Sequence, residues 1–187
     1  MEIYIIRHTR VAVGKDTCYG QSNVPLATTF DAEVAQFKTE LPTDFDAVYC
    51  SPLQRCRDLA DALQLENIIV NEALMEMNFG DWEGQKWNDI NQDLLNEWMQ
   101  DFTHQRTPNG ENLIELYERI KVFLDNLKQK PHKKALIVCH AGVIRCVWAY
   151  VLGIPLSNIF KLNVGYNEVF IVKLNNNPLY DAIKRKQ

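Results

Sequence analysis

The first ten residues, MEIYIIRHTR (Met1–Arg10), decide how the rest of the chain is interpreted. The segment Ile3–Ile6 is apolar and mostly β-branched, which is typical of a strand buried in a sheet. Four polar or charged residues, RHTR at positions 7–10, follow it without a break. A buried strand that ends in a histidine between two arginines predicts charged side chains held rigidly at one edge of a sheet.

Two further apolar runs end in the same way. Ala47–Cys50 is followed by SPLQR at residues 51–55, and Ala135–Cys139 is followed by HAG at residues 140–142. Carboxyl ends of parallel strands meet at one edge of a sheet, where open α/β proteins bind their ligands. Two histidines and two arginines would therefore converge into a positive pocket suited to a phosphate group: His8, His140, Arg7 and Arg55.

Segments with helical periodicity separate these runs. The clearest stripe lies between Leu113 and Leu127, where apolar residues recur at i, i+3, i+4 and i+7, and Leu53–Leu65 and Val143–Leu152 read as two more helices. Ile68–Val70 reads as a short strand. Strands that alternate with helices predict an α/β fold of three layers, in which helices cover both faces of a mostly parallel sheet.

The C-terminal part predicts an antiparallel edge. Ile159–Val164 and Glu168–Leu174 read as two strands joined at Gly165-Tyr166, and the tail from Asn175 to the basic end reads as loop and solvated terminus. An exposed edge over residues 163–174 could pair with a second copy of the chain, so a homodimer is one expectation.

We predict a single domain over residues 1–187 that carries an insertion at about residues 79–111. This insertion is too long for a simple connection and contains Trp82, Trp87 and Trp98. Excursions of this length tend to be functional, so a small helical lid over the carboxyl edge is expected. For Trp87 and Trp98 we favour packing against the core over a role at the site.

Bulk properties exclude several classes of protein. The formal net charge of -4 leaves no general basic surface for nucleic acid, and no apolar run reaches the length of a membrane span. The five cysteines are odd in number and lack CxxC spacing, which argues against a disulfide framework and favours a reducing compartment, the cytoplasm. No cluster of carboxylates and histidines has the spacing of metal ligands, so neither a metal nor another cofactor is expected.

Four ordered motifs resemble those of the histidine phosphatase superfamily, which includes the cofactor-dependent phosphoglycerate mutases. RHT at residues 7–9 stands where the family usually has RHG, and SPLQR at 51–55 matches its S-x-L-x-R element. EMNFGDWEG at 76–84 resembles its acid-bearing element, and HAGVIR at 140–145 its second-histidine element. The resemblance runs from Met1 to about Leu174 and implies a phosphoglycerate mutase-like fold.

The resemblance also implies a role for each matching residue. His8 would be the nucleophile that forms a phosphohistidine, and Arg7, Arg55 and His140 would hold the phosphoryl oxygens. Glu76 would protonate the leaving group and then take a proton from water. His8 must present one nitrogen unprotonated, so we expect its other nitrogen to donate to a fixed acceptor such as a backbone carbonyl. The amides of Ala141-Gly142 at a helix N-terminus could help bind the anion.

Asp81 and Glu83 are alternatives to Glu76 as the acid. We prefer Glu76 because its position matches the family and lies nearest to the strand end. Asp81 and Glu83 are expected to form hydrogen bonds within the base of the insertion.

The substrate is suggested by residues that depart from the general pattern. Thr9 and Arg10 replace the glycine and acid of the usual RHGE sequence, and Arg10 reads equally as a solvated charge or a substrate contact. RHT followed by CYGQSNVPL at residues 18–26, together with PNGEN at 108–112, resembles the α-ribazole phosphatases of cobalamin biosynthesis. Substrate contacts are predicted at Gly20, Gln21, Ala141 and Asn112, where Gln21 reads equally as a turn residue and Asn112 as a helix cap.

The resemblance therefore predicts a metal-independent phosphomonoesterase for α-ribazole 5′-phosphate, a small-molecule phosphate ester. A broad-specificity phosphatase for sugar phosphates and phosphoglycerates is the first alternative. A catalytically silent module that binds a phosphorylated ligand is the second. A mutase is disfavoured because the insertion is short.

Overall fold

Six strands form one mixed sheet in the computed structural model, which describes residues 1–184. The strand order is β3-β2-β4-β1-β5-β6. The first four strands run parallel to one another, and β5 lies antiparallel to both β1 and β6. The strand bounds are β1 Glu2–Arg7, β2 Ala47–Cys50, β3 Ile68–Val70, β4 Lys134–Cys139, β5 Val169–Lys173 and β6 Ala182–Lys184.

Within the described residues, five α-helices accompany the sheet: α1 Phe30–Glu40, α2 Gln54–Ala62, α3 Gln92–Gln100, α4 Leu113–Lys128 and α5 Ala141–Leu152. The helices α4 and α5 pack on one face, where Ile3 and Ile5 of β1 join the apolar stripe of α4. The helices α1 and α2 pack on the other face against Ile6 of β1. The predicted three-layer, mostly parallel α/β fold is therefore confirmed.

The helix α1 is absent from the predictions because its sequence, FDAEVAQFKTE, shows little amphipathic periodicity. Val34 and Phe37 are its buried apolar residues, and the third buried position is an acid, Glu33. Glu33 accepts hydrogen bonds from the Arg10 backbone amide and side chain at 3.0 Å each. Because one of the buried positions of α1 is an acid, this helix lacks the continuous apolar stripe by which α4 can be identified.

The predicted C-terminal hairpin is wrong. The stretch that includes Ile159 forms a 3-10 helix over Leu156–Lys161, because its apolar residues pack beside α5 instead of extending. The strand β5 pairs with β1 on one side and with β6 on the other, so the edge proposed for a dimer is covered. The tail also contains a strand, β6, where loop was predicted, and its last residues, 185–187, lie outside the described part. A homodimer stays a prediction, without that edge to support it.

The insertion 79–111 has a small core of its own. It contains a 3-10 helix, Gly80–Trp82, and then α3. Buried Cys18, Trp82, Ile90 and Leu95 form its centre. Trp98 packs edge-on against Trp82 with ring centroids 5.7 Å apart, so packing is its role, as expected.

All five cysteines are buried and free. Over residues 1–184, none of the helices is long and apolar enough to cross a membrane.

Candidate active site

The parallel pairing of β1 and β4 places two histidines side by side. Arg7 is opposite Cys139 in the register, and the His8 backbone amide donates to the Cys139 carbonyl at 3.0 Å. His8 and His140 thus leave adjacent strands at the same level, with ring centroids 5.2 Å apart. Both are fully buried, so the strand ends hold them without rotational freedom.

The hydrogen bonding of His8 defines which nitrogen is free. Its Nδ1 lies 2.7 Å from the carbonyl oxygen of Thr9. A carbonyl can only accept, so Nδ1 carries the proton and Nε2 keeps its lone pair in the neutral ring. Burial, followed by the charges of Arg55 and Arg7, lowers the pKa of His8 well below its usual value. His8 is therefore a neutral imidazole with a fixed tautomer near neutral pH.

His140 is held by the strand end of β2. Its Nε2 is 2.8 Å from the Ser51 hydroxyl, which also accepts from the backbone amide of Leu53 at the start of α2. Burial, followed by the nearby charge of Arg55, lowers the pKa of His140 well below its usual value. Ser51 of the SPLQR motif has no role that the sequence predicts, and the structure makes it a partner of His140.

Arg7 is anchored by a segment that the sequence did not implicate. Its guanidinium donates to the Val164 carbonyl at 3.2 Å and to the Tyr166 hydroxyl at 3.0 Å, and it lies 3.8 Å from the centroid of the Tyr166 ring. The Tyr166 hydroxyl is also 3.2 Å from that of Tyr19. These contacts replace the predicted hairpin turn with a loop that orients Arg7.

Arg55 is buried and is held by two carbonyls of the loop at residues 20–22. It donates to the Ser22 carbonyl at 3.0 Å and to the Gly20 carbonyl at 2.5 Å. Gly20 also packs so closely that a Cβ would lie 2.0 Å from the Met77 carbonyl oxygen. Gly20, predicted as a substrate contact, is placed here as a support for Arg55.

Glu83 ties the same loop to the insertion. Its carboxylate accepts from the backbone amides of Gln21 at 2.8 Å, Phe79 at 3.0 Å and Ser22 at 2.5 Å, and from the Ser22 hydroxyl. Burial raises the pKa of this carboxyl, but the hydrogen bonds outweigh it, so the pKa lies below its ordinary value. Asp81 accepts from Asn109 at 2.8 Å on the surface. Both acids form hydrogen bonds within the base of the insertion, as expected.

Glu76 occupies the N-terminus of α5. Its two carboxylate oxygens accept from the backbone amides of Met77 at 3.0 Å and Gly142 at 3.1 Å. The helix N-terminus predicted to bind the substrate anion at Ala141-Gly142 thus contacts the candidate acid. Ala141 itself is buried at the first position of the helix.

Two other predicted contacts lie outside the pocket. The Gln21 side chain donates to the Glu76 carbonyl at 3.0 Å. Asn112 caps α4: its Oδ1 accepts from the Glu115 amide at 2.9 Å, and its Nδ2 donates to the His104 carbonyl at 3.0 Å. Of the two interpretations of Asn112, the structure shows the helix cap, because both ends of its amide are occupied.

Arg10 is neither a free surface charge nor part of the pocket wall. Its guanidinium donates to Glu33 at 3.0 Å, and its Cζ lies 5.3 Å from the Tyr166 ring centroid. Thr9 is fully buried, and its hydroxyl has no hydrogen-bond partner among residues 1–184.

A cavity of about 390 Å³ opens beside His8, and the buried side chains of His140 and Arg55 are not part of its lining. Its polar lining includes Lys15 and Thr17 in addition to His8, Arg7, Glu76, Gly142 and Arg145. Aromatic rings form much of the remaining wall: Tyr19, Phe79, Trp87, Phe160 and Tyr166. Trp87 therefore lines the cavity as well as packing against Phe79, with ring centroids 5.8 Å apart. Within residues 1–184, His, Cys, Asp and Glu side chains form no group of three placed to hold a metal ion.

The family model of the histidine phosphatase superfamily (branch 1) matches residues 3–179. The chain belongs to this superfamily. Membership indicates phosphatase activity, in agreement with the placement of His8, Arg7 and Glu76 around one cavity.

Several known proteins resemble the chain over most of its length. The adenosylcobalamin/alpha-ribazole phosphatase of Escherichia coli (strain K12) is 30% identical over 174 residues, which cover 88% of this chain and 85% of that protein. Phosphoserine phosphatase 1 of Hydrogenobacter thermophilus is 24% identical over 142 residues, 70% of this chain and 67% of that protein. A solved structure of the alpha-ribazole phosphatase from Shigella flexneri superposes with a TM-score of 0.89 at 26% identity, covering 98% of this chain and 95% of that chain.

Proposed function

We propose that this histidine phosphatase hydrolyses a phosphate monoester through a phosphohistidine at His8. The observation that carries the proposal is the hydrogen bond from His8 Nδ1 to the Thr9 carbonyl at 2.7 Å. It leaves Nε2 as the reactive nitrogen, with Arg7 in the same cavity wall and His140 in ring contact. A neutral, fixed imidazole is the form that a nucleophile requires.

In the first step, Nε2 of His8 forms a bond to phosphorus while the bond to the ester oxygen breaks. Glu76 gives its proton to the departing oxygen. In the second step, water attacks phosphorus, Glu76 takes a proton from that water, and the N–P bond breaks. Inorganic phosphate leaves, and His8 returns to the neutral form.

The arginines support an anion at this position. Arg7 and Arg55 are held by carbonyl and hydroxyl oxygens, so neither positive charge is neutralised by its hydrogen-bond partners. Each also has a buried Nε without a hydrogen-bond partner within residues 1–184. A buried donor without an acceptor costs about 1–3 kcal/mol, and phosphoryl oxygens would supply acceptors and negative charge together.

For the substrate we propose α-ribazole 5′-phosphate. The aromatic part of the wall, Tyr19, Phe79, Trp87 and Phe160, suits a flat aromatic base beside the reacting phosphate. The cavity volume falls within the range of small-molecule sites, about 300–1,000 Å³. The names of the Escherichia coli and Shigella flexneri relatives point to the same substrate.

Arg145 favours a second candidate, a phosphatase for esters that carry a carboxylate, such as phosphoglycerates. Its Nε donates to the Leu162 carbonyl at 3.1 Å, and its guanidinium lies 5.4 Å from the Phe160 ring centroid, inside the cavity wall. Within residues 1–184 it has no ion-pair partner, so a substrate carboxylate could pair with it. The phosphoserine phosphatase among the relatives fits this alternative.

A steady-state comparison of α-ribazole 5′-phosphate, phosphoserine, 3-phosphoglycerate and sugar phosphates tests the choice. We expect kcat/KM for α-ribazole 5′-phosphate to exceed the others by at least tenfold. Comparable values for all would refute the assignment and favour a broad phosphatase. Arg145→Met separates the candidates further, because it should lower kcat/KM only for the carboxylate-bearing esters.

Quenching in alkaline detergent with a substrate labelled on its phosphoryl group tests the nucleophile, and the label should be stable in alkali, labile in acid and located on His8. Label on another residue would refute the mechanism. Absence of phosphate release from every ester, including p-nitrophenyl phosphate, would leave the third candidate, a module that only binds a phosphorylated ligand.

A further inference from the structure

The segment that carries Glu76 belongs to no regular helix or strand. It lies between two 3-10 helices, Glu72–Leu74 and Gly80–Trp82, on the way from β3 into the insertion. A side chain on irregular backbone keeps its position only if other residues fix that backbone. The question is therefore what fixes residues 73–78.

Arg119 of α4 supplies three of these contacts, and the Gln21 side chain supplies another at the Glu76 carbonyl. Its Nη1 donates to the carbonyls of Ala73 at 2.6 Å and Met75 at 2.7 Å, and its Nη2 donates to the carbonyl of Glu76 itself at 3.0 Å. One planar guanidinium thus binds three carbonyls within four residues. Lysine could not reproduce this fork of fixed donors.

Glu111 orients Arg119 and fixes the other end of the segment. Its carboxylate accepts from Arg119 Nε at 3.1 Å and from Nη2 at 3.0 Å, a bidentate pair. The same carboxylate accepts from the Asn78 amide at 2.7 Å, and the Glu111 amide donates to the Asn78 carbonyl at 2.9 Å. The pair is mostly buried, with side-chain exposures of 22% for Arg119 and 17% for Glu111.

We propose that Arg119 is a positioning residue for Glu76, acting together with Glu111. This inference rests on the proposed function, in which Glu76 is the general acid and base. Arg119 touches the backbone of the acid and is absent from the cavity wall, so its hydrogen bonds reach the site through the position of Glu76. Arg119→Lys keeps the positive charge, which contributes, after burial and Arg55, to the lowered pKa of His140. Misplacing a catalytic group by about 1 Å can cost about 100-fold in rate.

The dependence on the leaving group separates this role from a structural one. Proton donation by Glu76 matters most when the departing oxygen is a poor leaving group, such as an alkoxide, and least for p-nitrophenolate. Because kcat/KM reports only the steps up to formation of phospho-His8, it isolates proton donation from the later attack of water. A displaced acid should therefore penalise alkyl esters selectively.

The test compares Arg119→Lys and the milder Glu111→Gln with wild type, using p-nitrophenyl phosphate and an alkyl phosphate. For Arg119→Lys we expect kcat/KM to fall about 100-fold for the alkyl ester, a large part of the 10²–10⁴ of general acid catalysis. The fall for p-nitrophenyl phosphate should stay below about fivefold. For Glu111→Gln we expect the same preference for the alkyl ester, with a fall in kcat/KM of about tenfold.

Two comparisons sharpen the result. Arg106→Met, which removes the exposed ion pair with Glu115 near the same end of α4, should leave both substrates unchanged. The double variant Arg119→Lys/Glu76→Gln should lose no more activity than Glu76→Gln alone, because a residue that acts through Glu76 has nothing left to position. Urea unfolding of each variant establishes that it is folded during the assay.

Equal losses for both substrates, or additive losses in the double variant, would overturn the positioning role while leaving phospho-His8 intact. Wild type that forms no phosphohistidine would overturn the proposed function instead, and this role with it. The two failures are thus distinguished by the label on the wild-type enzyme.

Discussion

Replacing Glu83 by glutamine tests how the insertion supports the loop that holds Arg55. The carboxylate accepts four hydrogen bonds, three of them from backbone amides and one from the Ser22 hydroxyl. The loop that it holds provides, through Gly20 and Ser22, the two carbonyls that bind Arg55. Glu83→Gln keeps the shape of the side chain and removes its charge and one acceptor.

The magnitude follows from the hydrogen-bond partners. The NH₂ group of glutamine cannot accept, so at least one backbone amide loses its partner, at a cost of about 1–3 kcal/mol. The remaining hydrogen bonds change from charge-assisted to neutral and weaken by roughly half. We expect a total loss of about 2–4 kcal/mol in the free energy of unfolding. With an m-value of about 2 kcal/mol/M, the urea midpoint should fall by about 1–2 M.

The pH dependence gives an independent check. The pKa of Glu83 is lower in the folded protein than in the unfolded chain, so its ionised form stabilises the fold at pH values above the unfolded pKa. This stabilisation is lost as the pH falls through the folded pKa. The difference in the free energy of unfolding between wild type and Glu83→Gln should therefore be constant above about pH 5 and decrease below pH 4. A gap under 0.5 kcal/mol at pH 7 (roughly a quarter of the lowest expected value), or one that widens in acid, would refute the reasoning.

Three further predictions concern the site itself. In ¹⁵N NMR spectra His8 should remain the neutral Nδ1–H tautomer from pH 8 to pH 6, because its lowered pKa delays protonation to more acidic pH; titration near 6.5 would contradict this. Ser51→Ala should lower kcat/KM about tenfold by releasing His140 from its 2.8 Å partner, and an unchanged rate would show that the hydroxyl is dispensable. Trp87→Ala should raise KM for α-ribazole 5′-phosphate severalfold and leave KM for glycerol phosphate unchanged, since only an aromatic ligand can use the ring; equal effects on both would oppose the aromatic wall.

The four parallel strands and the meeting of the histidines could be predicted from the sequence. The runs at β1, β2 and β4 are apolar because both faces of the sheet are covered, and parallel pairing then brings their ends together. The stripe of α4 was equally clear, since six of its residues are buried on one side. These local patterns are visible in the sequence without knowledge of tertiary contacts, and they are sufficient to predict the main layers of the fold.

The remaining features depend on contacts between segments distant in sequence. Tyr166 meets Arg7 across 159 positions, and Arg119 meets Ala73 across 46. The apolar stretch near Ile159 has the pattern of a strand, because a short apolar run does not reveal whether it pairs with a sheet or packs on a helix. The sequence around Asn112 is compatible with a helix cap and with a substrate contact. The hydrogen bonds of Asn112 with Glu115 and His104 identify it as the cap.

The distribution of tryptophans also makes intrinsic fluorescence a probe of the insertion. Of its four tryptophans, three lie in the insertion 79–111, and only Trp148 lies elsewhere, packed on Phe170 with ring centroids 5.1 Å apart. In a Trp148→Phe background all tryptophan emission would originate from the insertion. Trp87 faces the cavity while Trp82 is buried behind it, so quenching by iodide would distinguish the two environments. Ligand entry could then be followed by fluorescence in real time, without any attached dye.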